Sequence, residues 1–215
     1  MAEVKVSILT PTLDRPEFLA RCIASVLRQT HTDWEQIVYN VGSPAEVPDD
    51  PRILYHVGER RGPAADFQSA LDLATGDIIH PLADDDRLPA HALETALAAL
   101  GTADWLNAKT VIVNRDGYPL HLRGGRIEHL EETRRGGYML GGSVYWRKNL
   151  SDELGGFNPD FDGAADFDLY QRFLAHSEPR LIPDILYLYT DHEQTDSRRF
   201  AARQAEASGR IRAAA

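Results

Sequence analysis

Between Val4 and Ala83 the chain alternates four short apolar runs with two helical patterns, and this alternation restricts the fold more than any other feature. "VKVSILT" (4–10), "QIVYNV" (36–41), "RILYHV" (52–57) and "DIIHPLA" (77–83) are of strand length and rich in β-branched residues. They are largely apolar throughout, and runs of that kind suit strands covered on both faces, as in a parallel sheet. Between the first two, Asp14 is placed to cap a helix with Pro16 in its first turn and Glu17 three residues after the cap. Phe18, Leu19, Cys22, Ile23, Val26 and Leu27 then recur at helical spacing and form one apolar face. Gly62 and Pro63 open a second helix through about Leu73, which Gly76 ends. Strand, helix, strand, strand, helix, strand predicts an α/β architecture: a Rossmann-like, doubly wound, mostly parallel sheet with helices on both faces.

The second half is more mixed. "PAHALETALAAL" predicts a helix, "WLNAKTVIV" a strand and "NRDGYP" a turn, while "RIEHLEETRR" predicts a polar helix ending at Gly136 and Gly137. "GGSVYWRKNL" crosses back into the core, a helix follows from about Asp166 to Ala175, and "DILYLY" is a strand. A charged, alanine-rich helix covers 196–215. No linker or repeat divides the chain, so 1–215 is expected to be a single domain, with one functional half over about 1–90 and a second over about 91–195.

The 215 residues, 43% of them hydrophobic, are enough for a sizeable core. With 23 basic against 33 acidic residues the net charge is −10, which excludes a general nucleic-acid surface because phosphate binding needs a basic footprint. The single cysteine, Cys22, rules out an internal disulfide and a cysteine zinc cluster, and its apolar helical face predicts a buried thiol. No apolar run approaches the roughly 18–20 residues of a membrane span. The N-terminus lacks the pattern of a signal peptide. The expectation is a cytoplasmic protein without a transmembrane segment.

"HPLADDDRLP" places Asp84, Asp85 and Asp86 directly beyond the fourth strand, where ligands collect in open α/β sheets. Adjacent carboxylates repel one another, and capping the next helix needs only one of them. A hard divalent cation, Mg²⁺ or Mn²⁺, takes oxygen ligands and neutralises such a cluster. Leu88 and Pro89 occupy positions where an EF-hand needs an oxygen ligand and a glycine, and no Gly-x-x-x-x-Gly-Lys phosphate loop occurs anywhere.

Four blocks, "VSILTPTLDRPEFLARCIASVLRQTHTDWEQIV", "RRGPAADFQSALDLATGDIIHPLADDDRLPAHALE", "LGGFNPDFDGAADFDLYQRF" and "YLYTDH", together resemble the family 2 glycosyltransferases, which have the GT-A fold. They occur in the family's order and cover most of the chain from Val4 to about His192. The resemblance implies an inverting, metal-dependent transfer of a sugar from a nucleoside diphosphate donor (a UDP-, GDP- or dTDP-sugar) to a hydroxyl-bearing acceptor such as a glycan or small molecule. It implies that the first aspartate of an Asp-x-Asp motif, matched by Asp84, lies near the donor's ribose and that the last, Asp86, holds the metal. Because the aspartates are consecutive, a register using Asp85 with Asp86 stands as the alternative, and Asp86 belongs to both. His192 matches a C-terminal histidine that closes over the diphosphate or helps ligate the metal. Asp166 matches the general base, with Asp168 nearby in support. Thr10, Pro11 and Thr12 begin the nucleobase pocket, Arg61 faces the base or phosphates, and Gly142 lets backbone approach the acceptor. Trp105, Tyr138 and Trp146 are aromatic candidates for stacking on a sugar.

One stretch departs from the family. Where Asp-Asp-Gly-Ser is common after the second strand, this chain has "YNVGS", so Asn40 and Val41 replace both acids. Asparagine donates as well as accepts, which changes what a nucleobase edge would meet. That substitution supports a rival expectation, a catalytically degenerate sugar-nucleotide or carbohydrate binding module of the same fold. A sugar-phosphate nucleotidyltransferase would need a glycine-rich basic loop after the first strand, and "TPTLDRPEF" has none.

Overall fold

The computed structural model describes residues 4–135, 140–195, 198 and 201–214. In chain order the elements are β1 (Val6–Thr12), α1 (Pro16–Val26), β2 (Trp34–Asn40), β3 (Ile53–Val57), α2 (Pro63–Leu73), β4 (Ile78–Pro81), α3 (Ala92–Leu100) and β5 (Trp105–Asn114). They continue with β6 (Pro119–Gly124), α4 (Ile127–Arg134), β7 (Val144–Arg147), α5 (Lys148–Leu154), a 3-10 turn at Pro159–Phe161, α6 (Ala165–His176), β8 (Arg180–Asp191) and α7 (Ala201–Ala214).

The strands form one mostly parallel sheet in the order β3-β2-β1-β4-β7-β5-β6, with β8 on the other side of β5. β1, β2, β3 and β4 pair in parallel, as does β5 with β8. β7 runs antiparallel to both β4 and β5, and β6 antiparallel to β5. Two reversals return β5 and β8 to the direction of β4, so β1, β2, β4 and β8 all end at one edge of the sheet.

Alternation along the strands divides the core into two layers. Val6 and Ile8 of β1 meet Leu19, Cys22, Ile23 and Val26 of α1, together with Leu93 and Leu100 of α3. On the other face Leu9, Ile37 and Ile79 pack with Ala70 and Leu71 of α2, and with Leu169, Tyr170 and Phe173 of α6. The strands are buried on both faces because helices cover both, as their unbroken apolar character predicts. Cys22 is fully buried, which pushes its thiol well above the usual range. No described helix is long and apolar enough to cross a membrane.

The structure corrects several local expectations. Asp14 does not cap α1: Arg15 occupies the cap position and no side chain caps the helix. The run after "NRDGYP" is strand β6, and "KNL" opens helix α5. β8 begins at Arg180, before "DILYLY", and its register slips between Leu181 and Ile185. Pro183 lies in that slip, where a missing backbone N–H costs no ladder bond. Trp105 and Trp146 are fully buried with Phe173, so neither is available to stack on a sugar. Gly136, Gly137 and Tyr138 lie outside the described residues.

Candidate active site

The three aspartates follow β4 by two residues, and each is held differently. Asp84 accepts the Thr12 hydroxyl at 2.7 Å and Arg15 Nη1 at 3.2 Å. Asp85 accepts the same Arg15 nitrogen at 2.8 Å through Oδ2, and His192 Nε2 lies 3.0 Å from that oxygen. Asp86 turns into the protein: its Oδ2 accepts the Tyr187 hydroxyl at 2.7 Å and its Oδ1 the Thr190 backbone N–H at 2.7 Å. β8 therefore supplies the far wall of the cluster and places His192 just beyond its end. Phe18 of α1 stacks on the His192 ring with centroids 4.5 Å apart, and Arg15 Nη2 donates to the Gln194 carbonyl at 3.0 Å.

All three carboxylates are less than 9% exposed. Burial first, then the charge of Asp85, pushes Asp84 up to about 6 against the opposing pull of Arg15 and Thr12. Burial and Asp85 likewise push Asp86 well above the carboxylate range, against the bonds from Thr190 and Tyr187. In this arrangement Arg15 is an internal counter-ion for a site that holds excess negative charge.

Next to the cluster, a cleft of about 340 Å³ is lined by Thr12, Asp14, Arg15, Asn40, Ser43 and Ala45 among others, within the size range of small-molecule sites. Asn40 serves the cleft wall. Its Nδ2 donates to the Ser43 carbonyl (2.8 Å) and the Tyr55 hydroxyl (2.7 Å), while its Oδ1 accepts Gly42 N–H at 3.0 Å. An aspartate there would have no donor for the Ser43 carbonyl, so asparagine fits the fold of this loop. Asp14, at φ 52°, receives Ser43 N–H at 2.8 Å across the cleft mouth, and that bond lowers its pKa. A Cβ at Gly42 would lie 2.7 Å from the Asp14 carboxylate, which explains the glycine.

Other expected residues are distributed unevenly. Thr12 lines the cleft, whereas Thr10 is fully buried and accepts from Gln36 at 3.0 Å. Pro11 lies between them on β1 and is partly buried. Arg61 is exposed; its guanidinium donates to Ser69 at 2.5 Å and its backbone N–H to Asp66. A Cβ at Gly142 would strike the Tyr187 ring at 2.6 Å, so this glycine makes room for the tyrosine that holds Asp86.

Asp166 is the second residue of α6 and accepts the Phe167 backbone N–H at 2.8 Å. It is partly exposed, yet the atoms packed around its carboxyl push its pKa upward. Asp168 is tied up structurally, accepting Arg172 Nε at 3.0 Å and Nη2 at 2.5 Å.

No three His, Cys, Asp or Glu side chains converge on a single ion position among the described residues. The donor chemistry nevertheless suits Mg²⁺ or Mn²⁺. Carboxylate oxygens of three adjacent aspartates are the hard ligands these ions take, and Asp85 Oδ2 lies within hydrogen-bond distance, 3.0 Å, of His192 Nε2. The expected trio of Asp86, Asp84 and His192 is not brought together as such, because His192 meets Asp85 instead. Arg15 and Tyr187 were missed by the sequence reading. The Arg15–Asp84 pair spans 69 residues and the Tyr187–Asp86 pair 101, so neither leaves a local signal.

The sequence model of the family "Glycosyl transferase family 2" matches residues 7–159. The chain is 26% identical to the "Uncharacterized glycosyltransferase YwdF" of Bacillus subtilis, over 97% of this chain and 83% of that protein. It is 25% identical to the glucosyl-dolichyl phosphate glucuronosyltransferase of Haloferax volcanii, over 97% and 69%. Among solved structures it is similar to S. aureus TarS 1-349 in complex with UDP-GlcNAc, with a TM-score of 0.71 and 16% identity over 98% of this chain and 71% of that one. It is also similar to the mannosyltransferase PcManGT from Pyrobaculum calidifontis in complex with GDP-Man and Mn²⁺, with a TM-score of 0.69 and 19% identity over 96% and 62%. The fold is that of the GT-A glycosyltransferases, and the chain belongs to glycosyl transferase family 2.

Proposed function

We propose that the protein transfers a sugar, with inversion, from a nucleoside diphosphate sugar to an acceptor hydroxyl. The nucleoside would lie in the cleft between Thr12, Asp14 and the 40–45 loop, and the diphosphate would lie toward Asp85 and His192. The observation that carries this reading is the junction of that cleft with a buried acidic cluster, in which Asp85 also contacts Arg15 and His192. Asp85 and His192 would hold Mg²⁺ or Mn²⁺, and Asp84 and Asp86 would support Asp85. When bound, the cation supplies positive charge for the leaving diphosphate. Arg15, already between Asp84 and Asp85, adds a fixed cation at the same place.

Asp166 is the proposed base. As the acceptor oxygen bonds to the anomeric carbon, the bond from that carbon to the diphosphate oxygen breaks, and the hydroxyl proton passes to the Asp166 carboxylate. Attack opposite the leaving group inverts the anomeric centre. The raised pKa of Asp166 increases its basicity, in the direction this role needs.

Asp166→Asn tests the assignment. Turnover should fall by about 10²–10⁴, the usual contribution of a general base, while nucleotide affinity stays unchanged. Retained turnover would remove Asp166 from the mechanism, and a product that keeps the donor's anomeric configuration would refute inversion.

A further inference from the structure

Eight large apolar side chains stand out from the described surface, and four of them fall between residues 118 and 127. Tyr118, Leu120, Leu122 and Ile127 are between 49% and 68% exposed. Leu120 and Leu122 lie two residues apart on β6, while Tyr118 precedes the strand and Ile127 opens α4, and the pairing of β6 with β5 shifts between Pro119 and His121. β6 is the last strand in the sheet order, so its outer edge is unpaired among the described residues.

The charge of this stretch is opposite to that of the molecule. From Gly117 to Ile127 there is no carboxylate, in a chain with 33 acidic residues, and His121, Arg123 and Arg126 are all exposed. Asp116 and Glu128 bound the stretch at its two ends. At the start of the hairpin, Arg115 pairs with Glu17 at 3.5 Å and lies over Phe18, whose ring stacks on His192. The apolar, cationic strand therefore begins beside the acidic cluster.

We propose that this exposed segment, Tyr118 to Ile127, docks the protein onto an anionic lipid bilayer. Its exposed apolar side chains enter the headgroup boundary while Arg123 and Arg126 reach the lipid phosphates, the combination by which interfacial elements bind. Tyr118 suits the boundary because its ring is apolar and its hydroxyl polar. The net charge of −10 does not prevent this, since repulsion is screened beyond about 10 Å and the surface in contact is cationic. Charge also argues against a second copy of the chain. Two such segments meeting would bring His121, Arg123 and Arg126 of each close to those of the other, and like charges brought together are unfavourable.

The test is co-sedimentation with phosphatidylcholine–phosphatidylglycerol vesicles. The protein should pellet with them and bind at least about tenfold more weakly to phosphatidylcholine alone. Leu120→Ser/Leu122→Ser and Arg123→Glu/Arg126→Glu should each abolish pelleting while keeping the wild-type circular dichroism spectrum. If the apolar pair impairs folding, the arginine pair decides the question alone, because its side chains are exposed. A wild-type protein that stays in the supernatant, or folded variants that pellet like wild type, would overturn the proposal. A dimer seen by light scattering and lost in the same variants, without vesicle binding, would assign the face to a second copy. Vesicle binding is read independently of sugar transfer, so its outcome is separate from that of the proposed reaction.

Discussion

Adjacent aspartates with different partners should respond differently to truncation. Asp86→Ala leaves the Tyr187 hydroxyl and Thr190 N–H without an acceptor inside the protein, a loss of about 2–4 kcal/mol that denaturant unfolding would measure. Asp85→Ala removes the charge that pushes up both neighbours, so stability should hold or rise while Mn²⁺-dependent nucleotide binding disappears. Arg15→Gln should tighten Mn²⁺ binding in the absence of donor, because a guanidinium 2.8 Å from Asp85 opposes a dication; manganese electron paramagnetic resonance would read the change. His80 titrates in the opposite sense to Asp84. Burial holds it down to about 4, from an ordinary value near 6.5, so its neutral form favours folding above pH 6.5 and that contribution falls away as pH drops toward 4. Asp84, raised to about 6, is relieved over an overlapping range as it protonates. His80→Phe should therefore lose less stability than wild type on acidification from about pH 7 to about pH 5, by about 2 kcal/mol.

At the level of elements, β8 connects the second half of the chain to the site. Tyr187, Thr190 and His192 come from its last turns of backbone or just beyond, and Gly142 makes space for Tyr187. Gly142→Ala should cost about 1–3 kcal/mol through displacement of that ring and should weaken the hold on Asp86, which thermal unfolding would reveal. The elements that were legible in the sequence are those whose partners are local. β1, β2, β3 and β4 announce themselves as apolar β-branched runs, and α1 and α3 by helical periodicity. β6 was not legible because nothing among the described residues covers it, leaving every residue but Gly124 exposed. The start of β8 was hidden by Pro183, which signals a break unless the bulge in the sheet is known. The acidic cluster was legible in its composition, but its internal division was not. Which aspartate meets His192 and which turns inward depends on contacts more than 100 residues apart. Asn40 looked like a lost nucleobase contact, whereas Ser43, Tyr55 and Gly42 show it building the loop.

At the level of the whole molecule, two reversals in the sheet bring the ends of β1, β2, β4 and β8 to one edge, where the cleft and the acidic cluster adjoin. The carboxylates gathered there repel one another. Arg15 provides part of the compensating charge, and a divalent ion with an anionic donor would complete it. The most direct measurement is calorimetric titration of the protein with UDP, GDP, dTDP and CDP, each with and without Mn²⁺. The account predicts that one nucleotide binds, that binding requires the metal, and that both are lost together in Asp85→Ala and His192→Ala. Binding that ignores the metal, or a folded protein that binds none of the four with Mn²⁺ present, would contradict it.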